Sequence, residues 1–156
     1  MTQSQTLAAT SLQTGHVGLN VTDIEKSLPF YREVFGFDIA AEGKDDHQRW
    51  AFLARDGKLV ITLWRQSDSS FSTATAGLHH LSFQVDSQDD VRAVEAVLRE
   101  RGADFAYEGV VAHGEGAGSG GIYFADPDGI RLEIYAPTGA EEAPAPSGAA
   151  PTCGFF

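Results

Sequence analysis

Three residues of this 156-residue chain, His16, His80 and Glu133, have the types and spacing to hold a cation together. The two histidines stand about sixty-four residues apart, and each opens a run of alternating character, His16-Val17-Gly18-Leu19-Asn20-Val21 and His80-Leu81-Ser82-Phe83-Gln84-Val85. Glu133 lies between Leu132 and Ile134, in a run where a strand must turn it toward one sheet face. A carboxylate in such a place is paired or metal-bound, because burying it alone is expensive. Taken singly, a strand histidine is more often a hydrogen-bonded core residue than a ligand. Two imidazoles and a carboxylate at repeat-related positions shift the weight toward a divalent transition metal, gripped from one side with other positions left open.

The elements that must position these residues can be read in order. His16 falls on a strand from Gly15 to Val21, with His16, Gly18 and Asn20 on one face. Thr22-Asp23-Ile24-Glu25 matches a capping box. Ile24, Leu28, Tyr31 and Phe35 then recur at helical spacing, Gly36 is a stop signal, and Pro29 predicts a kink or an irregular first turn. Strands are expected at Phe37 to Ala41, Arg49 to Ala54 and Leu59 to Trp64. A charged loop, Glu42 to His47, separates the first two, and Asp56-Gly57 marks a tight hairpin between the second and third.

The pattern then starts again. His80 to Val85 reads as a strand, Ser87 caps a helix carrying Val91, Val94 and Leu98, and Gly102 ends it. Strands follow at Phe105 to Val110, Gly121 to Ala125 and Ile130 to Tyr135, the last two joined by Asp126-Pro127-Asp128-Gly129, whose proline and glycine supply turn dihedrals. The β-α-β-β-β order thus occurs twice, an internal repeat that predicts an α+β fold of two βαβββ modules. Their bounds are 14–66 and 78–137, within one domain spanning 14–137. Residues 1–13 read as a flexible N-terminus and 138–156 as an Ala/Pro/Gly-rich tail of linker character. That tail ends in Cys153-Gly154-Phe155-Phe156, aromatics that either dock into a groove or hang free. Counted from the Asp-Gly of each hairpin, the first-module counterpart of Glu133 is Ile61.

Composition bounds the function. An apolar fraction of 42% with ten phenylalanines fits a globular chain. A formal net charge of -11 argues against nucleic acid or an anionic membrane surface as partner. The single cysteine, Cys153, excludes an intrachain disulfide. With neither a secretory signal nor an apolar run of membrane-spanning length, the expected location is cytoplasmic. The glycine-rich stretch from Val111 to Gly120 suits a mobile cover over a site, and it lacks the Gly-Lys-Ser/Thr ending of a phosphate-binding loop.

The paired modules, the helix text Ser27-Leu28-Pro29-Phe30-Tyr31-Arg32-Glu33-Val34-Phe35-Gly36-Phe37, and Tyr123-Phe124-Ala125-Asp126-Pro127-Asp128-Gly129 followed by Glu133 resemble the vicinal oxygen chelate superfamily. That group includes glyoxalase I, fosfomycin-resistance thiol transferases, bleomycin-binding proteins and extradiol dioxygenases. The resemblance covers about residues 14 to 137. It implies a cupped, barrel-like mixed sheet with flanking helices and a divalent metal held by His16, His80 and Glu133. Fe(II) is the leading ion, with Mn(II), Ni(II) and Zn(II) as alternatives. A fourth ligand of the glyoxalase type would fall at Ile61, which disfavours that isomerase chemistry. Extradiol dioxygenases share the His, His, Glu order, place a substrate-touching tyrosine where Tyr123 stands, and carry an acid/base histidine near His113.

The resemblance therefore implies a non-haem Fe(II) dioxygenase acting on a small catechol-like or enediol-like substrate. The alternatives are a lyase or thiol transferase using Mn, Ni or Zn, and a drug-sequestering binding protein. Trp50, Phe52 and Trp64 are candidates to line the pocket. A homodimer is expected, since the open edges of the cupped sheets need partners.

Overall fold

The computed structural model describes residues 12–154 and 156 of the chain. Most of the expected flexible N-terminus, and Phe155 of the terminal aromatic pair, lie outside the described residues. The element order is β1 (Val17–Val21), α1 (Ile24–Phe35), β2 (Asp38–Asp45), β3 (Gln48–Arg55), β4 (Lys58–Arg65), β5 (Leu81–Gln84), α2 (Gln88–Glu100), β6 (Val111–Ala112), β7 (Gly120–Ala125) and β8 (Arg131–Ala136). A single 3-10 turn, Thr152–Gly154, follows in the tail. The architecture is α+β, two βαβββ modules, each folded into a four-stranded mixed sheet. The strand orders are β1-β4-β3-β2 and β5-β8-β7-β6, the same topology written twice. In each sheet the first strand runs parallel to the fourth and the other neighbours are antiparallel. The two sheets stay separate and do not close on one another.

Alternation decides what each sheet buries. In the first, Leu19, Val21, Ala51, Leu53, Ile61 and Leu63 turn inward beneath α1. In the second, Ile122, Phe124, Leu132 and Ile134 turn inward. Both inner faces feed one core, in which α1 lies between the sheets. Phe35 meets Phe83 at 4.8 Å and Phe124 at 6.3 Å between ring centroids, and Phe30 meets Phe124 at 6.5 Å. The opposite face of each sheet therefore looks away from the shared core.

Local chemistry sets the ends of these elements, in places one residue from the expected position. Asp23, not Thr22, caps α1, its carboxylate accepting the Glu25 N–H at 2.9 Å. Thr22 is drawn off to the second module, where its N–H and hydroxyl both donate to the Asp128 carboxylate. The helix runs unbroken across Pro29 and stops at Gly36, which takes the left-handed conformation (φ 68°) that glycine tolerates best. Ser87 and Asp90 form the full reciprocal capping box at the start of α2.

Three other expectations shift. β2 continues through Glu42 to Asp45, so the charged loop shrinks to a tight turn. Phe105 makes only an isolated bridge to Phe124, and the second strand of the second module is the short β6. The tail departs from linker character. Ala140 N–H donates to the Gly118 carbonyl (2.9 Å), Ala112 N–H to Pro144 (2.7 Å), Glu115 N–H to Gly148 (3.1 Å) and Thr152 N–H to His113 (2.9 Å). The two-residue edge strand and its glycine-rich neighbour carry backbone groups that need partners, and the tail supplies them. Among the described residues no helix is long and apolar enough to cross a membrane.

Candidate functional site

Glu133 is the centre of the site. It pairs with Tyr123 across β7–β8 and with Ser82 across β5–β8, so all three side chains rise on the outward face of the second sheet. His80 precedes β5 with the parity of Ser82 and joins them there. Glu133 is buried nonetheless, with 3% of its surface exposed. The cover comes from the glycine-rich segment and the tail.

His113 reaches the carboxylate from that segment. Its Nε2 stands 2.5 Å from Glu133 Oε1 and its Nδ1 2.8 Å from Ser119 Oγ. In the neutral ring, with Nε2–H donating to the carboxylate, Nδ1 is left to accept the Ser119 hydroxyl. His80 Nε2 faces the other carboxylate oxygen at 3.6 Å, too long for a hydrogen bond and short enough for both atoms to share one cation. His80 Nδ1 lies 2.8 Å from Nδ1 of the exposed His79.

The surroundings tune each group. Burial alone would push the Glu133 carboxyl up. Hydrogen bonds from His113 and Ser82, the His113 charge and Tyr123 outweigh it, so the group is held below the ordinary carboxylate value. Burial lowers the His80 pKa against the pull of Glu133, and His79, Arg131 and His113 add to the lowering. A neutral imidazole beside an ionised carboxylate is the pairing that a metal needs. Burial raises the Tyr123 phenol, and the neighbouring Glu133 charge raises it further, so its proton stays on. The Tyr123 side chain is fully buried, and its hydroxyl, although beside Glu133, makes no hydrogen bond of full geometry. Burial, then Glu133, likewise raises the half-buried Cys153 thiol.

Four of the five residues singled out in the sequence thus meet here: His80, His113, Tyr123 and Glu133. His16 does not. It is exposed, just before β1, and shares the outward face of the other sheet with Gly18, Asn20 and Thr62. Trp50, Phe52 and Trp64 cluster on that same face, with ring centroids 4.7 to 6.3 Å apart. Among the described residues no group of three or more His, Cys, Asp or Glu side chains is arranged to hold a metal ion. Within one chain, His80 and Glu133 stand together as an imidazole–carboxylate pair.

The sheet register corrects the counterpart of Glu133. Gly18 pairs with Thr62 as Ser82 pairs with Glu133, so the equivalent position is Thr62, and Ile61 points into the core. Counting from the Asp-Gly pairs misses by one because the pair sits one position earlier in the first hairpin. Phe52 and its partner Thr62 enclose the same length of chain as Tyr123 and Glu133, and β4 takes up the difference at a register shift between Leu53 and Ala54. Thr62 Oγ1 accepts the Trp64 indole N–H at 2.9 Å, and the position offers no carboxylate or imidazole.

Sequence reasoning missed several neighbours. Arg131 stands two positions before Glu133, hence on the same face, and its guanidinium lies 5.4 Å from the centroid of the Phe156 ring. Period-two alternation was the signal that could have found it and Ser82. Phe156 itself rests 4.6 Å from the Tyr123 ring, 5.6 Å from His80 and 6.4 Å from His79.

Residues 13–134 match the family model of the glyoxalase/bleomycin resistance protein/dioxygenase superfamily. A catechol-2,3-dioxygenase of Bacillus subtilis (strain 168) is 31% identical over 125 residues, covering 78% of this chain and 40% of that protein. This chain therefore spans less than half the length of that relative. A trivalent organoarsenical cleaving enzyme of Bacillus sp. (strain MD1) is 32% identical over 128 residues, covering 81% of this chain and 75% of that one. In fold, the chain is similar to the fosfomycin resistance protein FosX of Listeria monocytogenes, solved with Mn(II) and sulfate. The TM-score is 0.61 at 23% identity, covering 86% of this chain and 98% of the other. The duplicated topology, the imidazole–carboxylate pair on its open face and a match along most of the length agree, and the chain belongs to the glyoxalase/bleomycin resistance protein/dioxygenase superfamily.

Proposed function

We propose that this chain is a non-haem Fe(II) dioxygenase of the extradiol type, acting on a small catechol-like or enediol-like substrate. The observation that carries the reading is Glu133, buried and ionised, with His80 at one oxygen and His113 at the other, beside a tyrosine that keeps its proton. His80 and Glu133 would hold the metal, and His16 would complete the set from the matching face of a second copy, making the active form a homodimer. Bound there, Fe(II) supplies the electron chemistry by which a catechol and dioxygen react. The chain's own residues do the rest. Tyr123 donates its hydroxyl to a substrate oxygen, and its buried ring keeps water from that side. His113, steadied by Ser119, holds a proton next to Glu133, within reach of a substrate hydroxyl. The aromatic face formed by Trp50, Phe52 and Trp64 would close the pocket from the second copy.

Arg131 favours a second reading. A guanidinium on the same face as Glu133 offers an anionic substrate one fixed cation, which fits a lyase or thiol transferase using Mn(II), Ni(II) or Zn(II). Arg131 lies against an aromatic ring, so the dioxygenase reading leads.

The test is oxygen uptake by anaerobically purified, iron-loaded protein with a panel of catechols and one trivalent aryl arsenical, since a relative cleaves trivalent organoarsenicals. Uptake with a catechol is expected. Silence across the panel with iron bound overturns the reading. His80→Ala should lower iron occupancy about tenfold or more while the far-ultraviolet dichroism stays unchanged.

A further inference from the structure

The tail 138–156 runs along β6 and the glycine-rich segment and ends over the residues just described. Its last anchors are tight. Thr152 is fully buried, its hydroxyl donates to the Ala112 carbonyl at 2.6 Å and its N–H to the His113 carbonyl. From there the 3-10 turn Thr152–Gly154 carries the chain across the outward face of the second sheet. The Phe156 ring then sits edge-on to Tyr123 (interplanar angle 63°) and to His80 (72°), with the Arg131 guanidinium near its face. Half-buried itself, it fills the space directly over the imidazole and the phenol.

An aromatic ring walled by a tyrosine, a histidine and a guanidinium has the environment that a small aromatic ligand would seek. We infer that Phe156 is a tethered occupant of the aromatic subsite beside His80 and Tyr123, a plug that a planar aromatic substrate must displace to react. This rests on the reading of His80, Tyr123 and Glu133 as the reacting centre. The competition is intramolecular. Ring burial of this size holds the closed form in excess by a factor on the order of tenfold, and apparent substrate affinity falls by that factor. The anchors at Thr152 and Ala140 are separate from the Phe156 ring, so displacing the ring leaves the strap in place.

The experiment compares the full-length protein with Phe156→Ala, with the conservative Phe156→Tyr, and with a chain ending at Gly154. Diethyl pyrocarbonate labels accessible imidazoles. Peptide mapping of the metal-free protein reads the labelling rate of His80 against that of the exposed His47 in the β2–β3 turn. The plug predicts that Phe156→Ala and the shortened chain label His80 faster by about tenfold relative to His47, while Phe156→Tyr stays slow. Equal His80 rates in wild type, Phe156→Ala and the shortened chain overturn the inference.

With iron bound, Phe156→Ala should lower KM for the best catechol and leave kcat unchanged. A raised KM would make Phe156 a pocket wall and also overturn the plug. The labelling needs no turnover, so the two readings fail separately. An opened His80 without oxygen uptake on any catechol retains the plug and sinks the dioxygenase. Oxygen uptake with His80 equally slow in all variants does the reverse.

Discussion

Asp126 and Glu133 are buried carboxylates close in sequence whose surroundings push them in opposite directions. Glu133 is held ionised by its hydrogen-bond donors. Asp126, in the turn before β8, accepts the N–H groups of Asp128 and Ile130 and the Tyr31 hydroxyl, yet burial pushes its pKa up from 3.8 to about 6. A raised acid favours the protonated form in the folded state. Its contribution to stability is therefore complete below the unfolded value and is lost as pH rises through the folded one. Asp126→Asn keeps a carbonyl oxygen for the backbone donors and removes the titration. Relative to this variant, wild type should lose on the order of 2 kcal/mol between about pH 4 and about pH 7. Urea unfolding of both proteins across that range checks it, and parallel curves would show that Asp126 titrates normally. At the reacting centre, Tyr123→Phe keeps the ring and deletes the donor. On the proposed chemistry kcat should fall about tenfold or more with iron occupancy unchanged, as read by steady-state kinetics and metal analysis.

At the scale of elements, the β7–β8 hairpin does the positioning, and Gly121 is its most exacting residue. A methyl group there would run into the Ile134 carbonyl oxygen and the Tyr135 Cα, both backbone atoms that cannot step aside without breaking the ladder. Gly121→Ala should destabilise the protein by about 3 kcal/mol or more and separate Glu133 from Tyr123, measurable as a lower urea midpoint together with lost iron binding. The hairpins also explain what could be read in advance. Asp56-Gly57 and Asp126-Pro127-Asp128-Gly129 are local turn chemistry, and both hairpins formed where that chemistry stands, Asp56 itself taking a left-handed φ of 51°. Where the Asp-Gly pair falls within its hairpin depends on strand register, which is not local, so the counterpart of Glu133 is Thr62 instead of Ile61. The α1 cap moved from Thr22 to Asp23 for a similar reason: Thr22 is claimed by Asp128 from 106 positions away. The strap of the tail was invisible because Ala, Gly and Pro carry no periodic signal, and only the edge they cover gives them a partner.

At the scale of the molecule, the duplication was plain in the sequence and the relation between the two halves was not. Hydrophobic alternation fixes which face of each sheet is buried, and it cannot say whether two outward faces meet one another or point apart. Here both inner faces share the core around α1, so the face bearing His16 and the face bearing Glu133 are each turned away from it. On the proposed reading, a metal held by His16, His80 and Glu133 would be shared between two copies, each lending its first module to the second module of the other. This arrangement makes a prediction that a one-chain site does not. His16→Ala and Glu133→Ala should each abolish tight iron binding in a homodimer. When the two variants are coexpressed and the mixed dimer is isolated by two different affinity tags, one of its two sites combines the intact His16 of one chain with the intact His80 and Glu133 of the other. The mixed dimer should bind about half the iron of wild type, while each parent binds almost none. If the set instead closed within a chain, every chain in the mixture would carry a broken site and iron would stay at the parental level. Iron content of the doubly purified species decides between them, with size-exclusion chromatography confirming that the mixed species is a dimer.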